Sequence, residues 1–239
     1  MGRSTPRGGV ERRRSMTSRA HHALVLADGP VDAVADLDWA WPGWSDGIDL
    51  VVAADGGARH AAALGRRIDR WVGDGDSIDP AELARLVASG VPVERAPTDK
   101  DETDAEMALF AAVGAEPERV TILGALGGDR LDHELGNIWL LAHPALADRQ
   151  AFLMSARTRI RLARPGRTEL AGRVGDLVSL LPFEGDAVGI TTEGLRYPLR
   201  REGLLSGPSR GLSNVRTAPT ATVSIEAGRL LVVETPATL

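Results

Sequence analysis

Between residues 21 and 154 short apolar runs alternate with segments of helical character, and this alternation constrains the fold more than any other feature. Runs at 23–26, 50–54, 70–72, 91–94, 120–123 and 151–154 read as strands. Helices are expected over 58–64, 80–89, 103–113 and 132–141. Asp79-Pro80 has the form of a helix cap followed by proline at the first helical position, and Gly90 supplies a stop. Strands alternating with helices at this spacing imply βα units and a mostly parallel sheet with helices on both faces. In such a sheet ligands bind beyond the carboxyl ends of the strands. Asp55, Asp74 and the glycines of 124–128 all fall at such ends, so motifs scattered along the chain are expected to meet in space.

After about residue 155 the pattern changes. Pro165-Gly166, Gly172, Gly175-Asp176, Gly185-Asp186, Gly194 and Gly203 punctuate short apolar runs, with strands expected at 177–181, 188–191, 222–225 and 230–233. The last two, joined by Glu226-Ala227-Gly228-Arg229, read as a hairpin. The expected organisation is a disordered basic leader over 1–20, an α/β domain over 21–154 and an all-β sandwich over 155–239. The leader carries arginines but no apolar stretch, so it is not a secretory signal, and Met16 offers a second start position.

Composition narrows the function. A net charge of −5 gives no reason to expect a nucleic-acid partner, and an acidic protein that handles phosphates needs metal ions between its own carboxylates and the substrate. The absence of cysteine excludes disulfides, thiolate catalysis and zinc–thiolate sites. No apolar run approaches the roughly 18–20 residues that span a bilayer, and a soluble cytoplasmic protein is expected. The chain has one lysine, Lys100, one tyrosine, Tyr197, and two asparagines, Asn137 and Asn214, and all four lie in the motifs that follow.

Gly73-Asp74-Gly75-Asp76 places two carboxylates on a glycine-flanked turn, where both can chelate a hard cation such as Mg²⁺. The same residues also suit an ordinary Asp-Gly turn. Pro97-Thr98-Asp99-Lys100-Asp101-Glu102-Thr103-Asp104 crowds acids, hydroxyls and the one lysine at a helix start. Capping by Thr103 or Asp101 accounts for one or two of these residues but not for the whole run. Lysine is a compact charge suited to a phosphate oxygen. Asp55-Gly56-Gly57-Ala58 follows a buried strand and opens a helix, which fits either a phosphate approach or a tight strand–helix turn. In Gly127-Gly128-Asp129-Arg130-Leu131-Asp132-His133, continued to Asn137 one turn later on the same face as His133, Arg130 can clamp phosphate oxygens, Asp132 can bind metal or cap, and His133 reads as structural or substrate-orienting.

Taken in order, these motifs resemble the thiamine pyrophosphokinase family, and Gly194-Leu195-Arg196-Tyr197-Pro198-Leu199 and Gly211-Leu212-Ser213-Asn214 are similar to its thiamine-site segments. The resemblance spans about residues 23–235. It implies a catalytic α/β domain, a C-terminal β sandwich and a homodimer with active sites at the subunit interface. It implies transfer of a diphosphoryl group from ATP to the thiamine hydroxyl. By motif position it makes Asp74, Asp76 and Asp104 the Mg²⁺ ligands, with Asp132 close by; the reaction also needs an acceptor for the hydroxyl proton, for which Asp101 and Asp132 are the candidates and between which the sequence does not choose. It gives Asp55, Gly56, Gly57, Lys100, Thr103 and Arg130 to ATP, and Tyr197, Ser213 and Asn214 to thiamine. The competing expectations are a pyrophosphokinase for another alcohol, such as a hydroxymethyl pterin, and a non-catalytic sensor of nucleotide or thiamine diphosphate.

Overall fold

The computed structural model describes residues 21–237, so the basic leader expected over 1–20 lies outside the described residues. Six strands and five helices alternate through the first part: β1 (His22–Leu26), α1 (Val34–Ala40), β2 (Ile48–Ala54), α2 (His60–Ala63), β3 (Arg70–Gly73), α3 (Pro80–Ala88), β4 (Val93–Arg95), α4 (Asp104–Val113), β5 (Arg119–Leu123), α5 (Leu131–Leu140) and β6 (Gln150–Met154). Eight more strands follow: β7 (Arg159–Ala163), β8 (Gly166–Ala171), β9 (Leu177–Pro182), β10 (Ala187–Glu193), β11 (Arg200–Leu204), β12 (Asn214–Val215), β13 (Thr220–Ile225) and β14 (Leu230–Thr235).

The first six strands pair in parallel, in the order β6-β5-β1-β2-β3-β4. Buried on both faces, they read as continuous apolar runs, and the alternation of their side chains divides the core in two. Leu24, Leu26, Val51 and Ala53 pack on one face against α1, α2 and α3. Ala23, Val25, Val52 and Ile122 pack on the other, chiefly against Ala108, Leu109 and Ala112 of α4. The helix starts follow local chemistry. Asp79 accepts from the Ala81 and Glu82 amides, and Thr103 from the Glu106 amide at 3.2 Å, so each satisfies donors that a helix leaves open.

Strand direction changes between β6 and β7, which are antiparallel, and β7, β14, β9 and β12 extend the same sheet to ten strands. A second sheet, β11-β10-β13-β8, lies against this extension. Val178, Leu180, Leu230 and Val232 of the first sheet and Leu170, Ile190, Ala221 and Val223 of the second share one core. The chain is therefore α/β with a C-terminal sandwich, as the sequence indicates, but one face of the sandwich is continuous with the parallel sheet.

The hairpin expected from 222–233 does not form. β13 pairs with β8 and β10, whereas β14 pairs with β7 and β9 in the other sheet. The turn instead carries the chain from one sheet to the other. Gly228 takes φ +86° there, and a β-carbon would sit 2.4 Å from the Asp186 carbonyl oxygen.

A buried ionic cluster lies beside the seam between the two halves, where Ile160, Leu162, Leu231 and Val233 supply the apolar packing. Glu234, 1% exposed, accepts from Arg159 and Arg161 of β7 and from Arg216, which follows β12, at 2.8–3.0 Å. Burial opposes the Glu234 charge, yet the three guanidiniums hold its carboxyl below the usual range. Arg159 also stacks 4.5 Å above Trp41, whose indole donates to the Ser155 carbonyl at 2.7 Å. Removing the carboxylate leaves buried cations unpaired. Glu234→Gln is expected to lower unfolding stability by about 3–5 kcal/mol, read as the shift in a urea transition; a loss below about 1 kcal/mol would show that the cluster is not holding β14 to its neighbours.

Candidate active site

A cleft of about 960 Å³ opens at the carboxyl ends of the parallel strands. Its walls come from the segments that leave β1, β2, β3, β4 and β5 and from one side of α5. Close backbone packing draws these segments together. Gly57 lies so near β1 that a β-carbon would fall 2.1 Å from the Leu26 carbonyl oxygen, and Gly124, at φ +72°, presses equally on the Ala27 carbonyl. The packing of Gly56 is of the same kind, with the Asp28 carboxylate 2.2 Å from where its β-carbon would stand. Gly56 and Gly57 therefore have a packing reason to be glycine.

Three carboxylates meet on the cleft floor. Oxygens of Asp55, Asp74 and Asp104 lie within 4.8 Å of one another, although they leave from the ends of β2 and β3 and the start of α4. Asp55 is fixed most firmly. It takes φ +40°, its carbonyl accepts from the buried Trp71 indole at 3.0 Å, and its Oδ2 accepts from the Ser77 amide at 2.9 Å. Its Oδ1 is buried without a hydrogen-bond partner. Burial pushes the Asp55 carboxyl up to about 6; the Ser77 amide opposes this, while Asp76 and Asp104 add to it. A buried carboxylate oxygen with no donor, facing two more carboxylates, fits a hard divalent cation, which takes oxygen ligands and would neutralise the cluster.

Lys100 stands beside this group, its ammonium 2.8 Å from Asp104 Oδ1 and 3.4 Å from Asp74 Oδ2, with a side chain 11% exposed. Burial disfavours the ammonium, but Asp104 and Asp74 more than offset it and raise the Lys100 pKa. Asp76 lines the cleft just outside the trio; its amide donates to Asp74 Oδ1 at 3.1 Å, and the Ser77 hydroxyl, donating to its Oδ1 at 2.8 Å, is the main cause that lowers its pKa.

Other residues singled out in the sequence fall in different places. Thr103 and Arg130 line the cleft. Arg130 is paired with Asp132, and that hydrogen bond is the main reason the exposed Asp132 carboxyl is lowered to about 2. Asp132 and the exposed Asp101 do not line the cleft. Tyr197, Ser213 and Asn214 are remote from it, near β12 at the opposite edge of the ten-stranded sheet from β4. The buried Asn214 amide exchanges hydrogen bonds with the Tyr197 backbone, at 3.0 and 2.7 Å, and so fixes a loop whose tyrosine is 62% exposed.

The cleft also contains residues to which the sequence assigned no role. Asp28 and Arg59 form an ion pair on its rim, and Ser77, Thr98, Glu134 and Asn137 line it. Asp28-Gly29 follows β1 as Asp74-Gly75 follows β3, and this repeated strand-end pattern is the signal that could have identified it.

Comparison with known proteins agrees with this geometry. Residues 44–153 match the profile of the thiamin pyrophosphokinase catalytic domain, and residues 164–230 match that of the thiamin pyrophosphokinase vitamin B1 binding domain. The chain is 28% identical over 210 residues to the thiamine pyrophosphokinase of Bacillus subtilis (strain 168), covering 87% of this chain and 96% of that protein. The crystal structure of the Bacillus subtilis enzyme superposes with a TM-score of 0.78 at 28% identity, over 90% of this chain and 98% of that one. Thiamin pyrophosphokinase from Geobacillus thermodenitrificans gives 0.76 at 26%, over 91% and 98%. The Candida albicans enzyme, at 16% identity and a TM-score of 0.72 over 92% of this chain and 90% of that one, supports the fold alone.

The raised Asp55 pKa sets a pH dependence. Because folding favours the neutral carboxyl, the stability it contributes is full below its unfolded value near 3.8 and is lost as pH rises through about 6. Asp55→Asn keeps an acceptor for Ser77 and tolerates a positive φ. In EDTA it is expected to raise the melting temperature relative to wild type at pH 7–8 and to lose that advantage below about pH 4. Equal melting temperatures across the range would show that Asp55 is not destabilised by ionisation.

Proposed function

The chain belongs to the thiamine pyrophosphokinase family, and on that footing we propose that it transfers a diphosphoryl group from ATP to the hydroxyl of thiamine, giving thiamine diphosphate and AMP. The observation that carries this reading is the convergence of Asp55, Asp74 and Asp104 beside Lys100 at the strand ends. We take residues 21–154 as the catalytic domain and 155–239 as the thiamine-binding domain.

In the proposed reaction the thiamine hydroxyl gives up its proton and its oxygen forms a bond to the β-phosphorus, while the bond from that phosphorus to the α,β-bridging oxygen breaks and the oxygen leaves with AMP, which takes up the charge. Chemistry of this kind depends on alignment and charge neutralisation. Asp55, Asp74 and Asp104 would hold Mg²⁺, with Asp76 at their edge. The ion, when bound, supplies charge neutralisation on the phosphate oxygens. Lys100 and Arg130 add positive charge, and Thr103 and the amides near Asp55 orient the triphosphate.

Thiamine recognition is assigned to Tyr197, whose exposed ring can stack on an aromatic cation, with Ser213 beside it and Asn214 positioning the loop. All the residues that line the cleft come from positions 27–137, and none from the segment matched to vitamin B1 binding. Two copies, each bringing its Tyr197 loop to the other's cleft, would complete both sites, so the active form is taken to be a homodimer. No described helix is long and apolar enough to cross a membrane. We assign the activity to the cytoplasm because ATP is available there.

AMP formation from Mg-ATP is expected with thiamine but not with a hydroxymethyl pterin or without acceptor, and Asp74→Asn should reduce it at least about a hundredfold without loss of helical circular dichroism. Co-folding Asp74→Asn with Tyr197→Ala chains should restore up to about a quarter of wild-type activity, because half of a random mixture is hybrid and each hybrid has one intact site. Thiamine-independent AMP release contradicts the activity, and a mixture as inactive as its parents contradicts the shared site.

A further inference from the structure

The ammonium of Lys100 contacts the same carboxylates that a divalent cation would use. It lies 2.8 Å from Asp104 Oδ1 and 3.4 Å from Asp74 Oδ2, and those two residues join Asp55 in the group whose oxygens fall within 4.8 Å of one another. With only 11% of its side chain exposed, Lys100 has little solvent to replace these partners. A divalent cation and an ammonium repel strongly at such separations, so a metal bound by these carboxylates weakens their hold on the ammonium. Asp104 begins α4, where its charge is favoured by the helix, and Asp74 is fixed by the Asp76 amide. Of the three charged groups in contact, the flexible four-carbon stem of lysine is the one most able to leave.

We propose that Lys100 is an exchangeable internal counter-ion: it neutralises Asp74 and Asp104 until a divalent metal takes their oxygens, and the metal's entry releases its ammonium to the phosphates. The inference rests on the reading of the acid cluster as a divalent-metal site and adds an order of events to it. Phosphate meets a free lysine only after metal has entered, so nucleotide without metal finds the main positive charge of the floor already engaged. Arg130 and Arg59 are paired too, but in exposed ion pairs away from the acid trio, so the exchange concerns Lys100 alone.

The sequence makes this testable, because Lys100 is the only lysine in the chain and its modification can be followed as a single peptide. Full-length protein is treated with an acetylating reagent at fixed pH in EDTA, in Mg²⁺ alone, and in Mg²⁺ with α,β-methylene-ATP. The rate of Lys100 acetylation is expected to rise several-fold with Mg²⁺ and to fall again when the nucleotide analogue is added. In parallel, calorimetric titration without nucleotide is expected to show Lys100→Met binding Mg²⁺ several-fold more tightly than wild type. Tighter binding by the variant with unchanged lysine reactivity in the wild type would mean simple repulsion and would overturn the exchange. Weaker binding by the variant would overturn it as well, by making Lys100 an organiser of the site. Wild-type protein that binds no Mg²⁺ would overturn both the exchange and the metal reading, whereas a protein that binds Mg²⁺ without a response at Lys100 loses the exchange alone.

Discussion

Mutual repulsion of Asp55, Asp74 and Asp104 is the constraint on which the rest of the structure depends. Three carboxylates within 4.8 Å of one another favour separation, protonation or a cation. The fold prevents separation by leading each from a rigid element: Asp55 from a buried strand end pinned by Trp71, Asp74 from the turn after β3, and Asp104 from a helix capped by Thr103. Protonation is partly conceded at Asp55, and the nearest cation in the chain is Lys100. Strain of this kind persists only where the surroundings over-determine it, which is the ordinary condition of a site built for a ligand.

The continuous sheet gives this arrangement its stiffness. A parallel sheet with its last strand exposed would end in unpaired backbone groups. Here β6 is covered by β7, and the sandwich grows from the same backbone ladder. Glu234 then ties β14 to β7 and to the chain beyond β12, while Arg159 reaches across to Trp41 in the other half. The two halves are thus mechanically one piece, although the residues assigned to nucleotide and to thiamine are on well-separated parts of it.

The parallel half was largely legible in the sequence because its strands, buried on both faces, announce themselves as apolar runs between glycine-rich turns. The sandwich was less legible. β7 reads Arg159-Ile160-Arg161-Leu162-Ala163, and its alternating arginines look like a solvated stretch until their shared partner, Glu234, is seen some seventy positions later. Turn residues at 226–229 signalled a reversal, but a turn between sheets has the same local chemistry as one within a sheet. At the site, the residue types were readable and the grouping was not. Asp76 was grouped with Asp74 by its spacing, whereas the fold brings Asp55 into the trio through a strand neighbour that spacing cannot show. Asp28 and Arg59 remained hidden because their pairing depends on the β1–β2 contact, which is a property of topology.

The central claim is that these three carboxylates form one divalent-metal site at the strand ends. Anomalous scattering from crystals grown with Mn²⁺, a hard cation that can stand in for Mg²⁺, tests it most directly. The account predicts a peak about 2 Å from carboxylate oxygens of Asp55, Asp74 and Asp104, with the Lys100 ammonium withdrawn from them. A peak held instead by Asp101, Asp129 or Asp132, with Lys100 still on Asp74 and Asp104, would contradict it.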